Sequence, residues 1–164
     1  QLLTLKLDPG GTSASGKLES FLDDRFLRTE PQFSPDGKWV AFQSNQTGAN
    51  EIYVVPYPGP GGLVQVSSGG GTQPRWNRNG RELFFRNGDK LMAADVETTG
   101  SSFRANAPVE LFTKPSFDYD VSADGRQFLM LKAALAAEQD QRTTTELHLI
   151  VNWFDELRRR APLP

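Results

Sequence analysis

The sequence predicts an all-β fold built from antiparallel, four-stranded sheets, and two observations support this prediction. A segment with a turn-forming glycine occurs three times, as PQFSPDGKWVAF at 31–42, PRWNRNGRELFF at 74–85 and YDVSADGRQFLM at 119–130. Its glycines lie at positions 37, 80 and 125, which are 43 and 45 residues apart. Each segment is followed by further short apolar runs, so a multi-stranded unit is repeated along the chain.

The repeated segment has the pattern of a β-hairpin. Asp-Gly or Asn-Gly between alternating apolar residues is a strong hairpin signal, because the turn needs a residue with positive φ. The predicted turns are Asp36-Gly37, Asn79-Gly80 and Asp124-Gly125. Residues three and five places after each glycine share one face of the second strand. The residue between them is also apolar, so both faces of this strand are expected to be buried.

Further strands complete each unit. Third strands are predicted at 51–55, 90–96 and 146–151, and fourth strands at 63–66 and 109–112. The N-terminus adds two strands, at 2–7 and 17–22, which brings the predicted strands to two, four, four and three. Four strands in a period of about 40–45 residues are typical of β-propeller blades. The predicted units are a half blade at 1–30, blades at 31–73 and 74–118, an incomplete blade at 119–152, and a C-terminal helix or tail at 153–164.

The first repeat resembles a blade of the TolB-type β-propellers, which carry Pro-Asp repeats and are relatives of the WD-repeat propellers. The resemblance lies in Phe33, in Ser34-Pro35-Asp36-Gly37 and in the pair Ile52-Tyr53. The second repeat departs from the pattern, with Asn77-Arg78-Asn79-Gly80 in place of Ser-Pro-Asp-Gly. The resemblance implies a bacterial protein, with a periplasmic or extracytoplasmic location favoured. Because propellers serve many roles, it says little about function.

Two further resemblances keep other functions open. The stretches YPGPGG at 57–62 and IVNWFDELRRR at 150–160 are similar to C-terminal sensor propellers of bacterial Ser/Thr kinases, although the chain has no kinase motif. The chain also has the blades expected of a propeller that gates a prolyl-oligopeptidase-like hydrolase. In either case catalysis would belong to another domain of a longer parent protein.

Composition excludes several classes of site. The net charge is −2 and the pI about 5.5, so no basic surplus indicates nucleic-acid binding. The absence of cysteine excludes disulfides and thiolate catalysis, and one histidine, His148, excludes a His-His metal pair. The apolar runs are too short to span a bilayer, so this segment is not expected to insert into a membrane. No cofactor is predicted.

Three short patterns resemble known sites but favour structural interpretations. The segment 11–17 fits G-x-x-x-x-G-K, but Leu18 stands where a phosphate loop needs Ser or Thr. The acidic spacing from Asp118 to Asp124 resembles the start of a calcium loop, but Leu131 occupies the position of the bidentate Glu. His148 alternates with leucines on a predicted strand, without a recognisable catalytic partner.

The aromatic residues divide into predicted core and predicted surface. Trp76 and the phenylalanines of the second strands are expected in the core between blades. Trp39 aligns with Glu82 and Gln127 in the other repeats, so it is expected to be exposed and to contact a partner. The segment 132–145 is expected to be a surface insertion, with a short helix that contacts a partner as the alternative.

An open propeller of about three and a half blades leaves sheet edges and apolar faces unpaired. The chain begins without Met and is expected to be part of a longer protein. The missing pairing is expected to come from another chain, such as a second copy, or from an N-terminal strand.

The sequence therefore predicts a non-enzymatic β-propeller scaffold that binds a protein or a small ligand at its mouth. In propellers, the loops that lead into the first strands surround the channel mouth. Polar residues not required by the apolar pattern occupy or flank these loops. The predicted binding face consists of Arg28, Glu30, Gln73, Arg75, Asp118 and Asp120.

Overall fold

The computed structural model describes residues 1–6, 18–59, 61–116 and 118–131, together with the backbone of 147–150. The glycine-rich segment 11–17, the segment 132–145 and the predicted C-terminal helix at 153–164 lie outside the described residues. No helix in the described part of the chain is long and apolar enough to cross a membrane. The described strands are β1 (Leu2–Thr4), β2 (Glu19–Leu22), β3 (Arg28–Phe33), β4 (Trp39–Ser44), β5 (Glu51–Pro56), β6 (Val64–Gln65), β7 (Thr72–Trp76), β8 (Glu82–Asn87), β9 (Lys90–Thr99), β10 (Ser102–Ala105), β11 (Val109–Thr113), β12 (Asp118–Val121), β13 (Phe128–Leu131) and β14 (Leu147–Ile150).

The strands form four antiparallel sheets in chain order. We call them the half-blade (β1-β2), blade 1 (β3-β4-β5-β6), blade 2 (β7-β8-β9-β11) and blade 3 (β12-β13-β14). Strand β10 pairs with residues 96–99 at the C-terminal end of β9. It was not predicted, because the third strand of blade 2 was expected to end at residue 96. The all-β, antiparallel fold class is confirmed, and the propeller is partial and unclosed.

The three predicted turns form with one shared geometry. Gly37, Gly80 and Gly125 adopt φ of +69°, +70° and +71°, which only glycine adopts freely. In the first turn the Gly37 N–H donates to the Ser34 carbonyl at 2.8 Å, and the Ser34 N–H donates to the Trp39 carbonyl at 2.8 Å. The turn is therefore longer than a two-residue hairpin, and of the Asp-Gly pair only the glycine has positive φ.

The turn carboxylates fix the chain that follows. Asp36 Oδ1 accepts hydrogen bonds from the Ser34 hydroxyl at 2.6 Å and from the Lys38 N–H at 3.1 Å. Asp124 repeats this arrangement, with Ser122 at 2.5 Å and the Arg126 N–H at 3.0 Å. In the second turn, Asn79 Oδ1 accepts from the Arg81 N–H at 2.8 Å. These hydrogen bonds explain why an Asp or Asn precedes each glycine.

The sheets pack face to face, and three apolar clusters lie between them. In each blade, the residues three and five places after the turn glycine face the preceding sheet. The residue between them faces the side of the following sheet. The cluster between the half-blade and blade 1 contains Leu2, Val40, Phe42, Tyr53 and Val55. The cluster between blades 1 and 2 contains Trp39, Ala41, Ile52, Val54, Val66, Trp76, Leu83, Phe85, Ala94 and Val96. The cluster between blades 2 and 3 contains Phe84, Leu91, Ala93, Leu111, Tyr119, Phe128 and Met130.

Burial of both faces of the second strand is confirmed in two blades and wrong in the third. Ala41 and Phe84 are 0% and 2% exposed, whereas Leu129, the equivalent residue, is 40% exposed. The reason is positional, because Leu129 faces the side of blade 3 on which the described residues place no further sheet.

The expectation that Trp39 is exposed is wrong. Its side chain is only 3% exposed, because Phe103 from the unpredicted β10 packs 5.3 Å from its ring. Phe103 also contacts Trp76 at 6.2 Å, so the β9-β10 hairpin covers the outer part of this cluster. Trp76 is confirmed as a core residue. Phe33, which aligns with Trp76 in the repeat, is largely exposed, with an edge contact to Tyr57 at 4.9 Å.

One of the two ways of completing blade 3 is not realised within the described residues. Strands β1 and β2 pair with each other, and neither adds to the sheet of β12, β13 and β14. Of the two alternatives, an N-terminal strand is therefore not found in the fourth position within the described residues, and completion by another chain stays a prediction.

Candidate functional site

The six residues of the predicted binding face flank the entering loops and lie within the first strands themselves. Each of the strands β3, β7 and β12 contributes two of them. Strand β7 lies beside both β3 and β12, so the starts of three first strands converge.

Two of these strands bulge at equivalent positions. Glu30 and Gln73 adopt φ of +54° and +53°, and the pairing register shifts around each of them. A left-handed conformation costs a residue with a side chain about 1–2 kcal/mol, so neighbouring contacts must hold it. Bulges of this kind are frequent next to functional sites.

The bulge at Gln73 is held from both neighbouring blades. Its backbone N–H donates to Gln43 Oε1 of blade 1 at 3.1 Å. Its carbonyl accepts a 2.9 Å hydrogen bond from the Tyr119 hydroxyl of blade 3. Burial raises the pKa of Tyr119 far above its ordinary value, so the phenol stays protonated and remains a donor. The three blades are thus joined through one bulged residue.

Arg75 lies at the centre of the converging strands. Its guanidinium is 3.6 Å from Glu30 Oε2 and 3.7 Å from Asp118 Oδ1, in the blades on either side. It also donates to the Pro74 carbonyl at 3.0 Å and lies 5.9 Å from the centre of the Tyr119 ring. The two carboxylates are 42% and 49% exposed, so these long ion pairs are open to solvent. We call Glu30, Gln73, Arg75 and Asp118 the polar face.

The other two predicted residues do not join the polar face. Arg28 is 8% exposed, ion-paired with Asp24, and placed with its guanidinium carbon 5.3 Å from the centre of the Phe42 ring. It supports the core between the half-blade and blade 1. Asp120 is exposed, and its Oδ1 accepts a hydrogen bond from the Val121 N–H at 2.8 Å. The structure therefore brings only four of the six predicted residues together, because Arg28 packs over Phe42 in the core and Asp120 lies two residues further along β12 than Asp118.

A shallow cavity of about 370 Å³ opens beside the polar face. The Ser116 hydroxyl in its wall is buried and has no hydrogen-bond partner among the described residues. Arg86 donates to Gln73 Oε1 at 3.5 Å and to the Gly88 carbonyl at 2.7 Å. The residues that line the cavity are Glu30, Gln43, Thr72, Gln73, Arg86 and Ser116.

Four of these lining residues were missed from the sequence. For two of them a signal existed, because Gln43 and Arg86 both lie six places after the turn glycine. There the apolar pattern of the second strand gives way to a polar residue, at the strand end beside the mouth. Thr72 and Ser116 carry no such repeated signal.

The described residues contain no group of three or more acidic or histidine side chains placed to hold a metal ion. In the acidic stretch that resembles a calcium loop, Asp118 accepts from the Tyr119 N–H at 2.8 Å, and Asp124 closes its turn. The side chain of His148 lies outside the described residues.

No protein-family model matches the chain. Among solved structures, the chain is similar to TolB from Acinetobacter baumannii, with a TM-score of 0.57, 16% identity and coverage of 83% of this chain and 32% of that one. It is similar to an oligogalacturonate lyase from Vibrio parahaemolyticus, with a TM-score of 0.50, 18% identity and coverage of 65% and 30%. A proposed 6-phosphogluconolactonase from Bacteroides uniformis matches with a TM-score of 0.50, 15% identity and coverage of 91% and 48%.

These proteins are β-propellers, and the chain spans between 30% and 48% of their lengths. At such low identities the likeness shows the fold and leaves the function open. The finer resemblance to TolB-type propellers stays a prediction, as does the one to kinase sensor propellers. The chain is a partial β-propeller of antiparallel blades.

Proposed function

We propose that the polar face binds a protein segment or a small polar ligand, and that the chain serves as a non-enzymatic propeller scaffold. The observation that carries the proposal is the pair of equivalent bulges at Glu30 and Gln73. Packing alone does not require a residue with a side chain to adopt a left-handed conformation. Two successive blades nevertheless have such a residue at the same position of their first strands. Such local strain is typical of sites that present groups to a ligand.

The groups around the cavity suit a ligand with both charged and hydrogen-bonding atoms. Glu30 and Asp118 supply exposed carboxylates, and Arg75 and Arg86 supply guanidinium groups. The Ser116 hydroxyl, which has no hydrogen-bond partner among the described residues, adds one donor and one acceptor. We propose no catalytic role for these residues, since nucleophilic catalysis needs a nucleophile held against a general base.

The direct test is to map binding by NMR on the isotopically labelled chain. Probes are blocked tripeptides with acidic, basic or neutral side chains, and small neutral sugars. We expect at least one probe to shift the amide resonances of Gln73, Arg75 and Asp118. An Arg75→Gln variant should then weaken binding about tenfold or more, because a charge-assisted hydrogen bond contributes about 1.5–3 kcal/mol.

The matched control is Arg104→Gln, which removes an exposed arginine from β10, away from the cavity. It should leave binding of the same probe unchanged. Binding that maps elsewhere, or that Arg75→Gln and Arg104→Gln affect equally, would contradict the proposal.

We further propose that a second copy of the chain covers the open face of blade 3. Ala41 and Phe84 are buried by a following blade, so the equivalent Leu129 is expected to accept one too. The opposite end of the stack has its own open face, since Leu3 is 47% exposed while its neighbour Leu2 packs toward blade 1. Head-to-tail contact between two copies would bring these two faces together.

A further inference from the structure

A second cavity lies at the opposite ends of the first strands from the polar face. Ser34 follows Glu30 by four residues, a distance of about 13 Å along a strand. The cavity, of about 640 Å³, lies between the turns of blades 1 and 2 and is bounded on its third side by the end of β9. We call it the turn-side cleft. Its volume falls within the range of about 300–1,000 Å³ typical of ligand pockets.

The turns on either side of the cleft stand further apart than the turns of blades 2 and 3. Between blades 2 and 3, Gly125 lies so close to the Asn77 side chain that an added Cβ would collide with it. Between blades 1 and 2, the nearest atom to the same position on Gly80 is Pro35 Cδ, 4.0 Å away. The turns of blades 1 and 2 therefore stand apart, and the space between them is open.

The wall formed by β9 presents a free backbone edge to the cleft. The Val96 N–H donates to the Arg81 carbonyl at 2.8 Å, away from β10, while the Asp95 carbonyl accepts from the Asn106 N–H at 2.9 Å, on the β10 side. Since hydrogen-bonding directions alternate along a strand, the Thr98 N–H and C=O also point away from β10. The chain turns at Arg81, so none of the described strands pairs with them there.

Blade 1 has no such edge. Its third strand, β5, ends at Pro56, and the Tyr57 N–H donates to the Lys38 carbonyl at 2.7 Å. This is the counterpart of the bond from Val96 to Arg81. Of blades 1 and 2, only blade 2 continues its third strand beyond this bond, so between these two blades the free edge at Thr98 belongs to the turn-side cleft.

The cleft contains two arginines that can bind an anionic group of a ligand. Arg78 and Arg81 line it and are exposed, and neither forms an ion pair within the described residues. Of the acidic lining residues, Asp36 is held by its turn hydrogen bonds and Glu97 lies opposite Arg104 across the β9-β10 pair. Arginine binds carboxylates through paired hydrogen bonds. The lining thus carries two positive and two negative side chains, and Arg78 and Arg81 are the pair that can bind a carboxylate of a ligand.

We propose that the turn-side cleft binds an extended acidic peptide segment. The segment pairs with the Thr98 edge of β9 as an added strand, and a carboxylate of the segment interacts with Arg78 and Arg81. Backbone pairing supplies the attachment, as in other complexes formed by strand addition, and the arginines supply the charge preference. This site is separate from the polar face, and its test does not depend on what the polar face binds.

The test uses the whole chain and a blocked pentapeptide of alternating valine and aspartate, with its lysine counterpart for comparison. Binding is followed through the Thr98 amide and the indole resonances of Trp39 and Trp76, which line the cleft. We expect saturable shifts with the aspartate peptide and at least tenfold weaker binding of the lysine peptide. A combined Arg78→Gln and Arg81→Gln variant should bind the aspartate peptide about tenfold more weakly, or weaker still.

Two controls separate this outcome from a general charge effect. Arg126→Gln changes the residue that occupies the place of Arg81 in the third turn, and it should leave binding unchanged. Thr98→Pro removes the free N–H without touching a bond to β10 and should abolish binding. If that variant fails to fold, amide exchange of Thr98 in the unmodified chain replaces it, and exchange should slow when the aspartate peptide binds.

The proposal is overturned if the two peptides bind equally, if no saturable binding occurs, or if the Thr98 amide is neither shifted nor protected by the aspartate peptide.

Discussion

The hydroxyl of Tyr119 donates a 2.9 Å hydrogen bond to the backbone carbonyl of Gln73, and these residues lie in the first strands of neighbouring blades. The carbonyl is available because Gln73 bulges out of its own strand pairing. One irregular residue therefore holds two blades together and also shapes the polar face.

Removing the Tyr119 hydroxyl should loosen the junction of blades 2 and 3. In Tyr119→Phe the ring still packs, but the Gln73 carbonyl loses its donor, and an unsatisfied buried group costs about 1–3 kcal/mol. The free energy of unfolding, measured by urea denaturation, should fall by about that amount. Tyr57→Phe is the matched control, because Tyr57 contacts Phe21 and Phe33 through its ring. The free energy of unfolding of this variant should not change. Equal effects of the two substitutions would contradict the assigned role of Tyr119.

The cluster between blades 1 and 2 depends on Trp76. The ring packs in the core, and its indole N–H donates to the Gln32 carbonyl of blade 1 at 3.2 Å. Trp76→Ala should therefore lower the free energy of unfolding by about 3–5 kcal/mol. Phe33→Ala, which truncates a largely exposed ring in the neighbouring blade, should cost only about 0.5 kcal/mol. Similar losses for both, in urea denaturation followed by circular dichroism, would argue against an interblade position of Trp76.

The turn carboxylates should make the fold sensitive to acid. Hydrogen bonds from Ser34 and Ser122 lower the pKa of Asp36 and Asp124 below the ordinary value of 3.8. The stability they add is complete above that value and is lost as the pH falls through the lower pKa of the folded state. The difference between the urea midpoints at pH 7 and pH 3 should therefore be smaller in a combined Asp36→Asn and Asp124→Asn variant than in the unmodified chain.

The second turn supplies the reverse experiment. Asn79 occupies the same position without a titrating group, so Asn79→Asp should make the loss of stability in acid steeper. An unchanged pH profile in both the neutralised and the added-carboxylate variants would refute the role given to these turns.

Strain at the bulge of Gln73 should be visible in a pair of substitutions. Gln73→Gly and Gln73→Ala both remove the side chain, but only glycine adopts the observed φ without cost. The glycine variant should be about 1 kcal/mol more stable than the alanine variant in thermal or urea denaturation. An alanine variant as stable as the glycine variant would show that the residue is not left-handed in solution.

The open face of blade 3 should govern self-association. If a second copy covers Leu129, light scattering should give a mass above that of the single 18.2 kDa chain. Leu129→Gln should shift the chain toward that single mass, whereas Leu63→Gln, an exposed leucine outside the three interblade clusters, should not. A single-chain mass for the unmodified protein at all concentrations would rule out the second copy as the occupant.

The blades and turns were predictable because their signals are local. Glycine with a preceding Asp or Asn fixes each turn, and the alternation after it fixes which face is buried. The β9-β10 hairpin was not predictable in this way, because it occurs in only one of the described blades. Phe103 of this hairpin covers Trp39, whereas the alignment of Trp39 with Glu82 and Gln127 by itself indicates an exposed residue. Long-range packing outside the repeat decided that residue.

The candidate site was predictable in part for the same reason. Glu30, Gln73, Arg75 and Asp118 were found because they are polar residues at the starts of apolar strands. Arg28 has the same pattern in the sequence, but its buried position over Phe42 depends on the half-blade packed beside it. The bulges have no sequence signature, since neither Glu30 nor Gln73 is a residue type that favours positive φ.

The central claim is that successive blades pack face to face through defined aromatic contacts. A nuclear Overhauser spectrum of the labelled chain tests it most directly. We predict cross-peaks between Phe84 and Phe128, whose ring centres are 5.0 Å apart across blades 2 and 3, and between Trp39 and Phe103, 5.3 Å apart across blades 1 and 2. The absence of both sets of cross-peaks in a folded sample would contradict the blade arrangement.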